Sequence, residues 1–95
     1  SLNARLDVNP SRGTAPHDVT FTLRALNKGE DASRQITAYQ LSFGDGDSTG
    51  RVSATTLPTT KLHTYDDEGV YTAQLTIWGQ DNTPKHVNKS IVVTA

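Results

Sequence analysis

Apolar and polar residues alternate along most of this chain with a period of two. Leu2, Ala4, Leu6 and Val8 fall on one parity, and Asn3, Arg5, Asp7 and Asn9 on the other. That is the pattern of a strand with one face buried. Asn9-Pro10-Ser11-Arg12-Gly13 stops it, because Pro10 has no N–H for a ladder and Gly13 accepts a positive φ. After Thr14-Ala15-Pro16, a second strand places Val19, Phe21, Leu23 and Ala25 on one face. Asn27 to Gln35 is a polar loop. The third strand starts at Ile36, with Tyr39, Leu41 and Phe43 on one face and Gln40 and Ser42 on the other. Gly44-Asp45-Gly46-Asp47-Ser48-Thr49-Gly50 follows as a turn of residues that tolerate left-handed conformations.

Arg51 to Thr56 is short and polar, which suits an edge strand. Leu57-Pro58-Thr59-Thr60 breaks it, and Lys61 to Tyr65 forms a fifth strand. Asp66-Asp67-Glu68-Gly69 turns the chain into its most regular stretch. There Tyr71, Ala73, Leu75 and Ile77 point one way, and Thr72, Gln74, Thr76 and Trp78 the other. Beyond a loop from Gly79 to Pro84, the last strand runs from Val87 to Thr94, with Val87, Ile91 and Val93 inward. Lys89 shares that parity, which predicts a wet strand end or a bulge. No window keeps apolar residues at helical spacing for three turns, so no helix is expected. About seven short strands separated by turn signals predict an all-β fold, an immunoglobulin-like sandwich of two packed sheets. In that frame the third and sixth strands are expected to meet across the two layers.

The chain of 95 residues makes one domain, spanning residues 1–95, with a thin core. It contains no Cys, so neither a disulfide nor a thiolate metal site supplements that core. The net charge of −1 argues against a nucleic-acid binder. The longest aliphatic run, Ile91-Val92-Val93, is too short to insert into a bilayer. The chain begins at Ser1 without an initiator Met, signal peptide or targeting segment, which predicts a piece of a longer, multidomain protein.

Three stretches together resemble a known family. Tyr39-Gln40-Leu41-Ser42-Phe43-Gly44-Asp45-Gly46 is similar to the Y-x-W-x-F-G-D-G strand and turn of PKD (polycystic kidney disease) domains. His63-Thr64-Tyr65, followed by Gly69-Val70-Tyr71-Thr72-Ala73-Gln74-Leu75, resembles their H-x-Y…G-x-Y-x-V-x-L segment. Pro10…Gly13-Thr14-Ala15-Pro16…Val19-Thr20-Phe21 resembles their opening. Leu41 stands where the family usually has Trp, and Ser42 where it often has Asp, which marks a divergent member. The resemblance implies an immunoglobulin-like sandwich of extracellular and cell-surface proteins. It also implies a spacing role, or protein or polymer contact, rather than catalysis. The spacing Asp67-x-Gly69-x-Tyr71 additionally fits the tyrosine corner of sandwich folds. It predicts a buried Tyr71 ring whose hydroxyl bonds backbone at the turn.

Candidate chemistry is sparse. Gly44-Asp45-Gly46-Asp47 superficially suggests a calcium loop, but the fifth and twelfth positions counted from Asp45 are Thr49 and Thr56, so the ligand pattern fails. A turn in which Asp45 bonds neighbouring N–H groups accounts for it. By resemblance to collagenase-type PKD domains, the calcium candidates are Glu30 and Asp31, with Asn9 or Ser11 nearby; a solvated charged loop is the simpler account. His17, His63 and His86 have no metal-ligand spacing. His63 lies near Asp66 and Asp67 in the sequence, but no nucleophile with a recognisable context accompanies it. It is expected to bond the turn. Trp78 faces outward by parity. It either covers the sheet with the stems of Lys85 or Lys89, turns inward at a bulge near Gly79, or acts as a contact residue for a sugar or a protein partner.

The expectation is a non-catalytic module with no cofactor, acting as spacer and protein–protein interaction domain. Its partners would be neighbouring domains of the same chain, and protein or polysaccharide. The alternative is a polysaccharide- or collagen-binding accessory domain of a secreted hydrolase. An enzyme should gather titratable groups with perturbed pKa values into one pocket, and no such set can be assembled from these residues.

Overall fold

The computed structural model describes residues 2–95; Ser1, the first residue of the predicted domain, lies outside them. No described residue is helical, and no helix is long and apolar enough to cross a membrane. The strands are β1 (Leu2–Asn9), β2 (Arg12–Thr14), β3 (His17–Asn27), β4 (Glu30–Asp31), β5 (Ile36–Ser42), β6 (Val52–Ser53), β7 (Thr60–Tyr65), β8 (Gly69–Gly79) and β9 (Pro84–Thr94).

They form two sheets packed as a sandwich. In the first, β3 pairs with β1 on one side, and with β7 and β4 on the other. The second has the order β2-β9-β8-β5-β6. Leu6, Phe21 and Leu23 from the first sheet meet Leu41, Leu75 and Ile91 from the second, and all are sealed from water. The alternation of β1 and β3 is therefore that of half-buried strands, apolar toward the partner sheet and polar toward solvent.

Three expectations need correction, and one of two alternatives for Lys89 falls away. β5 and β8 are hydrogen-bonded neighbours, Leu41 opposite Leu75. The third and sixth predicted strands thus share one layer instead of facing each other across two, and what covers them is β1 and β3. Arg12-Gly13, read as part of a break, is the start of β2, which pairs in parallel with β9. The edge strand predicted for 51–56 shrinks to Val52–Ser53, and Leu57 beyond it plugs the core at 4% exposure. The β8–β9 ladder runs unbroken from Gly69↔Val93 to Trp78↔Pro84. No bulge resets Lys89, which keeps its inward parity opposite Ala73 and remains exposed.

The chain changes sheets between β1 and β2 and again between β2 and β3, and the peptide bonds before Pro10 and Pro16, one in each crossing, are cis. The buried His17 ring holds the first crossing: its Nε2–H donates to the Pro10 carbonyl at 2.9 Å. Leu2 sits at one pole of the body beside Gly79, and Thr94 lies beside Thr14 at the other. The molecule measures 43 × 24 × 16 Å.

Candidate functional site

The titratable groups gather at the pole where the β5–β6 and β7–β8 turns meet. Gly44 opens the first turn with φ +88°, and a Cβ there would stand 2.5 Å from the Thr72 carbonyl oxygen of neighbouring β8. Only glycine lets the turn lie this close to the strand. Asp45 then accepts the Asp47 N–H through Oδ1 at 3.1 Å, and the His63 Nε2–H through Oδ2 at 2.7 Å. The predicted bond from Asp45 to a neighbouring N–H is present. The carboxylate partner of His63 is Asp45, however, not Asp66 or Asp67. The register of β7 on β3 sets the reach of His63, and nearness in sequence does not.

The His63 ring stacks flat on Phe43, centroids 3.9 Å apart, and meets Tyr65 edge-on at 4.9 Å. Tyr65 is wholly buried and donates its hydroxyl to the Phe43 carbonyl at 2.7 Å. Tyr71 packs against Tyr65 and donates to the Asp67 carbonyl at 2.7 Å. The corner hydrogen bond has the predicted form, but the Tyr71 ring is only half-buried, and Tyr65 takes the sealed position instead. Tyr39 and Leu41 belong to the same core cluster as Tyr65.

Partial desolvation alone would raise the Asp45 carboxyl. The hydrogen bond from His63, the Asp47 N–H and the nearby imidazole together outweigh it, and hold the group below its ordinary value. Burial pushes the Tyr65 phenol up, with help from the Asp45 charge. Desolvation and the Asp67, Asp45 and Asp66 carboxylates push Tyr71 in the same direction.

Asp45, Asp47 and His63 each bring one potential metal-ligand atom to within 4.8 Å of the others. An ion held there would take Asp45 and His63 away from the bond that joins the β5–β6 turn to β7. No hydroxyl of a described residue hydrogen-bonds the His63 ring. The chemistry supported here is the anchoring of the β5–β6 turn on β7.

Glu30 and Asp31 sit on β4 at the far pole. The Asp31 carboxylate accepts from Ser33 N–H and Oγ–H. β4 pairs with the Leu26–Asn27 end of β3, whereas Asn9 lies beside Thr20, so the structure does not bring these candidates together. Trp78 faces outward and is half-buried; the β5–β8 ladder does shift register beside Gly79, between Ile36 and Ala38, but this does not turn the ring inward. Its cover is the Arg51 guanidinium, 4.3 Å from the ring centroid, rather than Lys85 or Lys89. Arg51 also donates to Asn82 Oδ1 at 3.2 Å. Sequence patterning passed over Arg51, because its place over Trp78 depends on β6 returning beside β5.

A protein-family model described as PKD domain matches residues 4–95. No match is found among curated protein sequences. Among solved structures, the chain is similar to the PKD domain of an M14-like peptidase from a Thermoplasmatales archaeon, with TM-score 0.77, 16% identity, and coverage of 98% of this chain and 94% of that one. It is similar to the PKD1 domain of the Vibrio cholerae metalloprotease PrtV, with TM-score 0.64, 18% identity, and coverage of 100% and 99%. A structure from work on the promiscuous specificity of carbohydrate-binding modules of the β-sandwich superfamily matches with TM-score 0.74 and 21% identity; the whole of this chain covers 35% of that one. At these identities the likeness is one of fold.

Proposed function

Because this chain belongs to the PKD domain family, we propose that it is a non-catalytic module that spaces and orients the neighbouring domains of a cell-surface or secreted protein. The observation that carries this is the placement of the chain at the two poles. Leu2 and Thr94 lie at opposite ends of a body 43 Å long. Segments attached before β1 and after β9 are therefore held apart by the length of the sandwich. The aromatic cluster stiffens one pole, and the close-packed core shared by the two sheets carries the length between the poles. Two folded reporter domains fused at the ends, examined by small-angle scattering, should show one narrow separation that includes the full long axis. A broad distribution, with reporters touching in a large share of molecules, would overturn the spacer role.

A second function is compatible with the first: a polysaccharide-binding accessory domain of a secreted hydrolase. It is favoured by the likeness of fold to a structure from work on carbohydrate-binding modules, and by the exposed polar face of the five-stranded sheet.

A further inference from the structure

We propose that the outer face of the β5–β8–β9 sheet is a binding surface for a neutral polysaccharide, which rests on the accessory-domain reading above. The pairing register builds this face in cross-strand rows. One row is Gln40, Thr76 and His86; the next is Ser42, Gln74 and Asn88. No outward position on β5, β8 or β9 carries Asp, Glu, Lys or Arg, although 20% of the chain is charged. The lysines of β9 have the opposite parity. The outer face of the other sheet is different, carrying Arg5, Asp7, Asp18 and Arg24. Exposed sheet faces ordinarily use charge for solubility, so a face stripped of it is unusual.

Over the centre of the face the groups that replace charge are amides and hydroxyls, with the apolar Val70–Val92 pair at one end. Thr76 Oγ1 and His86 Nδ1 share a hydrogen bond at 2.8 Å, which fixes the middle of the first row. Gln40, Gln74 and Asn88 have no side-chain hydrogen bond to any described residue. Each amide offers donors and an acceptor on one short arm, the combination that matches vicinal hydroxyls of an uncharged sugar. The strands span about 10 Å across, and Thr72 to Trp78 spans about 20 Å along, enough for a short run of sugar rings.

Other occupants fit less well. An anionic polymer needs cations, which stand only at the margins as Arg51 over Trp78 and Arg12 beside Val92. A protein interface needs an apolar centre, and the centre here is the two polar rows. Trp78 stands at the end of the face with its ring already covered by Arg51. The contacts therefore come from the amide rows rather than from stacking on Trp78.

Affinity electrophoresis of the domain through gels containing hydroxyethylcellulose or xylan, with carboxymethylcellulose and alginate alongside, tests this. The expected result is retardation by at least one neutral polymer, unchanged by added salt and weakened at least five-fold in the double variant Gln74→Ala/Asn88→Ala. Far-ultraviolet circular dichroism and melting of the variant should match the parent, since neither side chain makes an internal bond. Retardation by a neutral polymer that survives the double substitution leaves the accessory role standing and overturns this face. Salt-sensitive retardation by carboxymethylcellulose or alginate alone overturns the neutral ligand. Retardation by none of the four overturns this proposal, while the scattering experiment on the end-fused reporters decides the spacer role separately.

Discussion

The two poles of the sandwich are built on different principles. At the β5–β6 and β7–β8 pole, Phe43, His63, Tyr65 and Tyr71 stack on one another, and Asp45 ties one turn to the other strand. At the opposite pole, Leu2, Asn27, Arg34, Gln35, Gly79 and Gln80 surround an open cleft, and the bond from Asn27 Nδ2–H to Gln35 Oε1 lies in solvent at 3.2 Å. One end is fixed by side chains with buried partners. Among the described residues, the other presents loop backbone and exposed amides. In a thin-cored domain, this places the local contribution to stability at one end.

Substitutions at matched positions sharpen this contrast. The largest effect is expected from Gly44→Ala. Its positive φ and the 2.5 Å approach of a Cβ to Thr72 backbone leave no room to adjust, so a loss of about 3 kcal/mol or more should appear in denaturant melts. Gly29 at the far pole has φ +82° but nothing within 4 Å, so Gly29→Ala should cost only the left-handed backbone strain, about 1–2 kcal/mol. Equal costs would erase the distinction between the poles.

Tyr65→Phe ranks next. It removes a buried hydroxyl and strips a donor from the Phe43 carbonyl, for about 1–3 kcal/mol. Gln35→Ala at the open pole should stay within about 0.5 kcal/mol. Alkaline titration gives an independent reading. The unfolded phenol ionises near pH 10, while the folded one stays protonated to higher pH. The folded state then holds the extra proton, so stability falls as pH rises above about 10. Tyr65→Phe should flatten that fall; an unchanged alkaline slope would remove Tyr65 from its assigned place.

The smallest effect belongs to Asp45. Its folded carboxyl titrates below the unfolded one, so its contribution is complete above the ordinary carboxylate range and disappears as pH falls through the folded value. Solvent reaches the His63–Asp45 pair, which limits the contribution to below about 1 kcal/mol. Melting temperatures of Asp45→Asn and the parent should differ at pH 6 and converge toward pH 2. A constant difference would mean that Asp45 acts through the turn backbone and not through its charge.

Much of this architecture was legible in the residues. β1, β3, β5, β8 and β9 are long enough to show period two, because each buries one face against the other sheet. β2, β4 and β6 have two or three residues each, too few for any period, and they form only because a neighbouring strand offers free backbone groups. The motif residues Phe43, Asp45, His63, Tyr65 and Tyr71 could be named in advance, but not all of their partners. The bond from His63 to Asp45 and the cover of Arg51 over Trp78 depend on which strands lie side by side. Local sequence is silent on that. The uncharged rows were equally hidden: Gln40, Gln74 and Asn88 belong to three separate strands and become one surface only when the register aligns them.

The parallel pairing of β2 with β9 has a mechanical consequence. Arg12, Gly13 and Thr14 lie beside Val92, Val93 and Thr94, near the exit of the chain. A pull that drags the first strands toward one pole and the last strand toward the other loads these rungs along the strand axis. They resist in shear and share the force, instead of unzipping one after another. Loaded along this axis, the domain should yield late and abruptly in a force-ramp measurement.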